Sequence, residues 1–296
     1  MSSYAYKIPI PQMAKNVLMK YISVLLLVCL FALSACSSDM DNFLEEMSEP
    51  EMAQMYYTDT LTVAHWNIGH FALGRSSDTT IFAEESESMS SIYKALLDSI
   101  DADIIGICEY NPTFSRGGEK TSSYIFTSYP FNCIGAKYSY NCNAIFSRAK
   151  LNNSKIVFFE HCVQQRYYVV SEININGHMV FFVETHLDWN QGIEGKGCRT
   201  DQIKTLVKAF SDYPYVIICA DYNVSDVREF QLFVDADFTL TNGGGHEVVY
   251  TSPASNPKHP LDNIIVKGFN VLDLDVKGDC DLSDHCLIKS RLTIEE

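Results

Sequence analysis

Carboxylates, amides and imidazoles recur in this sequence at the ends of apolar, strand-like runs. Six such places stand out: Trp66-Asn67, Cys108-Glu109, Thr185-His186-Leu187-Asp188, Ala220-Asp221-Tyr222-Asn223, Leu261-Asp262-Asn263 and Ser283-Asp284-His285. Functional groups gather where rigid strands give way to loops. Oxygen donors together with imidazoles form the set that metal-assisted hydrolysis needs.

Each motif carries a chemical reading and a plainer one. Glu109 ends the buried run Ile104–Cys108. A carboxylate there is costly unless it is paired or bound to a cation. It reads as a Mg²⁺ ligand, since hard cations take oxygen donors, or as an exposed strand-end acid. Asn67 supplies a carbonyl oxygen to a metal or an amide to phosphate, or it is a turn residue. His186 can steady a phosphoryl oxygen in the transition state, or serve the structure alone. Asp221 and Asn223, two apart at a strand end, start on the same face. Side by side they can orient a water and hold a phosphoryl oxygen, although Asp and Asn also start turns. Asp284 and His285, with Asp262 upstream, supply one imidazole and two acids. A carboxylate bonded to one ring nitrogen fixes the tautomer and raises basicity at the other, so a water activated there would attack phosphorus. Ser283-Asp284-His285 by itself also fits a serine-type triad, but no Gly-x-Ser-x-Gly elbow accompanies it. A Walker-type loop, a Rossmann glycine fingerprint and a His-Glu-x-x-His helix are likewise absent from the sequence.

The elements that must position these groups can be read from periodicity. Leu61–Trp66 alternates as a strand. Met89, Ile92, Leu96 and Ile100 recur at helical spacing and predict a helix over about 83–100. Ile104–Cys108 is a short buried strand, and 111–127 reads as a long surface loop. Ala144–Ser147, Ile156–Phe159, Tyr167–Ile175 and Met179–Val183 read as strands, the last two joined at the hairpin signal Asn176-Gly177. A helix over about 200–210, the buried strand Tyr215–Cys219, a short helix capped by Ser225, and strands Ile264–Val266 and Cys286–Ile288 complete the set. Hairpin-joined strands with two intervening helices predict mixed sheets.

Composition narrows the class. The chain has 296 residues, 47% hydrophobic and 12% aromatic, enough for one large α/β domain. Lys15 and Lys20 precede the apolar run Val24–Leu33, which is followed by Leu33-Ser34-Ala35-Cys36. That is the layout of an export signal, short for a membrane span. Cys36 after Leu-Ser-Ala resembles the bacterial lipobox, which implies cleavage after residue 35 and lipidation of Cys36. The expected localisation is the bacterial outer membrane, lipid-anchored, with the acidic stretch 36–60 as a flexible tether and a hint of surface display. Residues 1–35 hold three lysines and no acid, so their removal takes the formal charge from −15 to −18. Such acidity argues against tight, sequence-independent DNA binding, which needs phosphate-neutralising cations. Ten cysteines include Cys29 in the signal and Cys36. Cys108 and Cys219 sit in apolar runs and read as small buried thiols, while Cys280 and Cys286 are near enough to pair. No Cys-x-x-Cys points to structural zinc.

Taken in order, the six motifs resemble the endonuclease/exonuclease/phosphatase superfamily, the fold of pancreatic-type deoxyribonuclease. The likeness covers residues 61–293. Trp66-Asn67, Glu109, Thr185-His186-Leu187, then Arg199, Gln202 and Leu206, then Ala220-Asp221-Tyr222-Asn223, Asp262-Asn263-Ile264 and Ser283-Asp284-His285 match its pattern. Ala220, Tyr222, Asn263 and His65 depart from it without removing a chemical group. The resemblance implies a four-layer α/β sandwich, two packed mixed β-sheets flanked by helices, in a domain spanning 61–296. It implies divalent-metal-dependent cleavage of a phosphoester P–O bond, with Mg²⁺ expected and Mn²⁺ or Ca²⁺ as alternatives. Asn67, Glu109 and Asp284 fall at the metal, and Asp221 and Asn223 at water and phosphate. His285 falls as acid or base with Asp262 as its partner, His186 as a second catalytic and phosphate group, and Arg166 as a phosphate contact. The expected substrate is a nucleic acid, a phospholipid headgroup or a small phosphoester, acted on by a monomer. The competing expectation is an inactive surface lipoprotein that keeps the fold as a binding module.

Overall fold

The computed structural model describes residues 60–71, 86–112, 121–135, 142–160, 164–244, 248–252, 259–277 and 282–295. The chain divides into two units, 1–52 and 53–296, and the first lies outside the described residues. The export signal, Cys36 and the tether expected above lie outside them too, save the tether's last residue. No helix among the described residues is long and apolar enough to cross a membrane.

In chain order the strands are β1 (Leu61–Asn67), β2 (Ile104–Tyr110), β3 (Phe131–Ile134), β4 (Cys142–Ser147), β5 (Asn152–Phe158), β6 (Tyr167–Ile175), β7 (His178–His186), β8 (Val216–Asp221), β9 (Thr239–Leu240), β10 (Asp262–Lys267), β11 (Phe269–Lys277) and β12 (Leu287–Ile294). The helices are α1 (Ser86–Ile100), α2 (Thr121–Ile125), α3 (Ile193–Phe210) and α4 (Gln231–Val234). One six-stranded sheet runs β11-β12-β1-β2-β4-β3 and the other β5-β6-β7-β8-β10-β9. Pairs β1–β2 and β7–β8 are parallel and the remaining pairs antiparallel, so both sheets are mixed.

Side-chain alternation builds the layers. Val63, Ile104 and Ile145 of the first sheet meet Val169, Phe182 and Ile217 of the second in one central core. On the outer face of the first sheet, Ala64, Trp66, Ile105 and Ile107 pack under Tyr93, Leu97 and Ile100 of α1. On the outer face of the second, Val170, Val183, Val216 and Ile218 pack under Ile203, Leu206 and Phe210 of α3. Helix, sheet, sheet, helix is the four-layer sandwich that the motif order implied.

Several elements depart from the expected boundaries. Helix α2 sits inside the stretch read as a loop. The short helical turn at Val227–Phe230 is capped by the side chain of Asp226, which accepts from the Arg228 N–H, rather than by Ser225. Strands β3, β9 and β11 are additional. Asn176 and Gly177 form the expected tight turn, both with positive φ (51° and 90°). Cys108 and Cys219 are buried free thiols, as are Cys133 and Cys142. Cys286 is disulfide-bonded, and its partner, the expected Cys280 included, lies outside the described residues.

Candidate active site

Strand register assembles the site. On the parallel pair β7–β8, His186 lies opposite Asp221, and on the antiparallel pair β8–β10, Asp221 lies opposite Asp262. At one edge of the sheet, β7 and β8 therefore end in His186 and Asp221, and antiparallel β10 begins with Asp262. From the other sheet, β1 ends in Asn67 opposite Cys108 of β2. The β2–β4 register shifts between Ile107 and Tyr110, and Glu109 within that bulge has φ 52°. A bulge re-aims a side chain, and a non-glycine residue at positive φ is uncommon outside sites that need it.

Asp221 Oδ2 is the focus. Asn67 Nδ2 donates to it at 3.0 Å, His186 Nε2 lies 3.4 Å away and His285 Nε2 3.6 Å away. Its other oxygen accepts from the Asn223 N–H at 2.9 Å. Asp221 and Asn223 thus form a turn as well as a pair, with Asn223 at φ 54° and its amide donated to the Leu187 carbonyl at 3.2 Å. His285 Nδ1 meets Asp262 Oδ2 at 2.8 Å, the acid–imidazole pair expected from the sequence. The Trp66 indole N–H holds the His285 carbonyl, and Ser283 Oγ, which donates to the Asn67 carbonyl, accepts from the His285 N–H.

Burial and neighbouring charges set the protonation states. Burial lifts the Asp221 carboxyl to about 6, aided by nearby Asp262 and opposed by His285 and Asn67. Burial disfavours charge on His285, but Asp262 and Asp221 outweigh it and raise the ring to about 10. Asp262 is held well below the usual range: burial opposes this, and His285 and His65 overcome it. Burial, then the Arg166 charge, pushes His186 well below its ordinary value, so it is neutral near pH 7.

Glu109 lies on the open side. Its Oε1 is 3.4 Å from Asn67 Nδ2 and 3.8 Å from His186 Nδ1, and its Oε2 is 2.9 Å from His70 Nε2. Burial opposes its ionisation, yet His70 and His186 bring it down to about 2. Asn67 Oδ1 accepts from the Gly69 N–H, and a Cβ on Gly69 would lie 3.4 Å from Asp284 Oδ1. Glu109 meets the Asn67 amide, and Asp284 lies beside the Gly69 turn that Asn67 holds. That oxygen set, with one carboxylate ionised and partly open to solvent, fits a hard divalent cation. A second set, Asp221, Asp262 and His285, also has its ligand atoms within 4.8 Å of one another, with its carboxylate oxygens bonded to Asn67, Asn223, His65 and His285. Arg166, just before β6, is buried with Nε lacking a protein partner, as is His186 Nδ1. The Arg166 N–H is a buried donor without an acceptor, which is rare and suits an anion bound there.

The expected helix residues act at one remove. Arg199 donates to the carbonyls of Asp188 and Asn190 and to Glu229, and Gln202 accepts from the Asp188 N–H. They fix the loop after His186. Asn263, where the family pattern has an aromatic, instead staples the chain at Asn242 through paired amide–backbone bonds at 3.0 and 2.9 Å.

Sequence reasoning passed over His70, Glu184 and the interior place of His65. Period-two alternation held the signal for the last two, since His65 shares a face with Val63 and Asn67, and Glu184 with Phe182 and His186. No local signal marks His70, which reaches Glu109 only through three successive residues at positive φ, Gly69 to Phe71.

Two packed mixed sheets flanked by helices, with carboxylates and imidazoles converging at strand ends, define a deoxyribonuclease I-like α/β sandwich. Residues 64–285 match the model of the Endonuclease/Exonuclease/phosphatase family, and the chain belongs to that family. Its members are hydrolases acting on phosphoesters and are generally divalent-metal dependent. Solved structures share the fold at low identity. An endonuclease/exonuclease/phosphatase from Beutenbergia cavernae DSM 12333 has a TM-score of 0.62 at 14% identity, over 80% of this chain and 72% of that one. One from Bacteroides vulgatus gives 0.62 at 14%, over 80% and 99%. D. rerio TDP2, complexed with single strand DNA product, gives 0.60 at 18%, over 79% and 99%. No curated protein sequence is significantly similar.

Proposed function

We propose that this chain hydrolyses a phosphoester with water as nucleophile and a divalent cation as cofactor, Mg²⁺ being the expected ion. The observation that carries this reading is the convergence of Asn67, His186 and His285 on Asp221 Oδ2, beside ionised Glu109 and the unpartnered Arg166 Nε. A cation held by Glu109, Asn67 and Asp284 would neutralise charge on the phosphoryl group. Asp221, with a carboxyl near 6, suits a general base at neutral pH, taking the proton of a water beside Oδ2. His285, protonated at Nε2 and held at Nδ1 by Asp262, suits donation to a phosphoryl or leaving oxygen. His186 and Arg166 bind and orient the phosphate, and the Asn223 N–H fixes the Asp221 carboxylate.

The acidic chain favours a lipid headgroup or small phosphoester over extended nucleic acid, because few cations would neutralise a polyanion. The test is turnover of plasmid, phospholipid vesicles and aryl phosphoesters with Mg²⁺ and again with EDTA. Metal-dependent turnover of one class is expected. Failure on every class, with Mg²⁺ bound or not, leaves the fold as a binding module instead.

We further propose that residues 1–35 are an export signal, that lipidated Cys36 anchors the monomeric domain at 61–296 to the outer membrane, and that the acidic stretch between is a tether. The apolar run before Leu-Ser-Ala-Cys supports this.

A further inference from the structure

Beneath the catalytic pair lies a layer of buried polar groups that hydrolysis as described does not use. His65 is fully buried on the inner face of β1, with Nδ1 3.2 Å from Glu184 Oε2 and Nε2 3.1 Å from Asp262 Oδ1. Glu184 is also fully buried and accepts from the Cys108 thiol at 2.9 Å. Asp262 is therefore shared between two imidazoles, Oδ1 with His65 and Oδ2 with His285.

Room has been made for this layer. Gly106 is the register partner of His65, and a Cβ there would lie 1.8 Å from Glu184 Oε2. A glycine inside a strand weakens it, and a buried carboxylate is costly. Apolar side chains of the same volume would fill the layer at equal or lower free energy. Packing therefore gives no reason for it.

We propose that His65, braced by Glu184, is a positioning residue for the hydrolysis: it fixes the plane of the Asp262 carboxylate so that Oδ2 meets His285 Nδ1. The terminal torsion of an aspartate is broad, so a carboxylate bonded at one oxygen alone can swing. Anchoring Oδ1 removes that freedom and aims His285 Nε2 at Asp221. The inference rests on Asp262 and His285 being the catalytic pair. Partners of this kind are worth about 10–100-fold in activity.

The experiment uses the full chain, with kcat and KM for bis-p-nitrophenyl phosphate at saturating Mg²⁺, Mg²⁺ affinity by calorimetry, and the imidazole nitrogen NMR signals of His285. The double substitution His65→Leu with Glu184→Leu removes both charges and leaves the Cys108 thiol its second acceptor, the Thr185 carbonyl at 3.0 Å. Its kcat should fall about 10–100-fold, with KM and Mg²⁺ affinity little changed. Should that variant fail to fold, two single substitutions ask the same question. His65→Gln keeps a donor at the Nε2 position facing Asp262 and should retain most of kcat. His65→Asn keeps only the donor facing Glu184 and should not. A folded leucine variant with wild-type kcat, or equal kcat for His65→Gln and His65→Asn, overturns the proposal. The NMR signal separates this from failure of the hydrolytic reading. Even if no phosphoester turns over, the His285 ring signals must shift in the leucine variant, and unchanged signals sink the positioning role.

Discussion

Glu109 and His285 divide the labour of the site, so their removal should be told apart. Glu109 is the ionised, partly open carboxylate, whereas His285 makes its bonds to Asp262 and lies beside Asp221. Glu109→Ala should lose Mg²⁺ binding and turnover together, and His285→Ala should keep Mg²⁺ binding while kcat drops about 100-fold or more. Calorimetry and steady-state rates check both, and retained activity in both variants refutes the assignment. The same residues shape the response to pH. His65 and His285 are both raised from 6.5 to about 10, against the cost of burial, by their carboxylate partners. A raised folded-state value stabilises fully below the unfolded value and is lost as pH climbs to the folded one. The metal-free protein should therefore melt at progressively lower temperature from about pH 6.5 towards 10. A melting temperature flat over that window contradicts the protonated state of both rings.

At the scale of elements, strand β2 carries the two devices on which the site depends. Its bulge at Glu109 turns a residue that simple alternation would misplace, and Gly106 opens the space that Glu184 fills. Gly106→Ala should cost about 3 kcal/mol, the upper end of what overpacking a core usually costs. Gly177→Ala, at φ 90° with nothing within 4 Å of the new Cβ, should cost only about 1 kcal/mol. Urea unfolding of the two variants compares them, and equal costs would deny the volume argument. Helix α3 begins seven residues before the periodicity predicts. Gly195 and Gly197 weaken that first turn as a sequence signal, yet Gly195 is needed because a Cβ would meet the Asn190 carbonyl at 2.0 Å. Strands β3 and β9 are too short to show a period, and among the described residues β11 pairs only with β12, with a register shift after Val271.

At the scale of the whole molecule, the proposed anchor and the domain make separate predictions. Cys36→Ala should move the protein from the membrane fraction to the soluble one, while the phosphoester turnover of the purified protein stays the same. Fractionation with an activity assay reads both. Continued membrane association would count against lipidation at Cys36. Reducing the disulfide at Cys286 belongs to this scale too, since that residue directly follows His285 and its N–H is held by the Thr251 carbonyl.

The sequence by itself determined which chemical groups this protein has and in what order strands deliver them. Asn67, Glu109, His186 and Asp221 stand where apolar runs stop, and Asp262 and His285 where apolar runs begin, and a run's limit is a local property. Alternation predicted mixed sheets, and the family resemblance carried by the order of the motifs implied the four-layer sandwich. Only the tertiary structure decided which groups touch. Register places His186 and Asp262 on either side of Asp221, and the packing of one sheet on the other closes His65 between Glu184 and Asp262. His65 and Glu184 are 119 residues apart, and His65 and Asp262 are 197. No local pattern encodes such distances, because they are set when two inner faces are buried together.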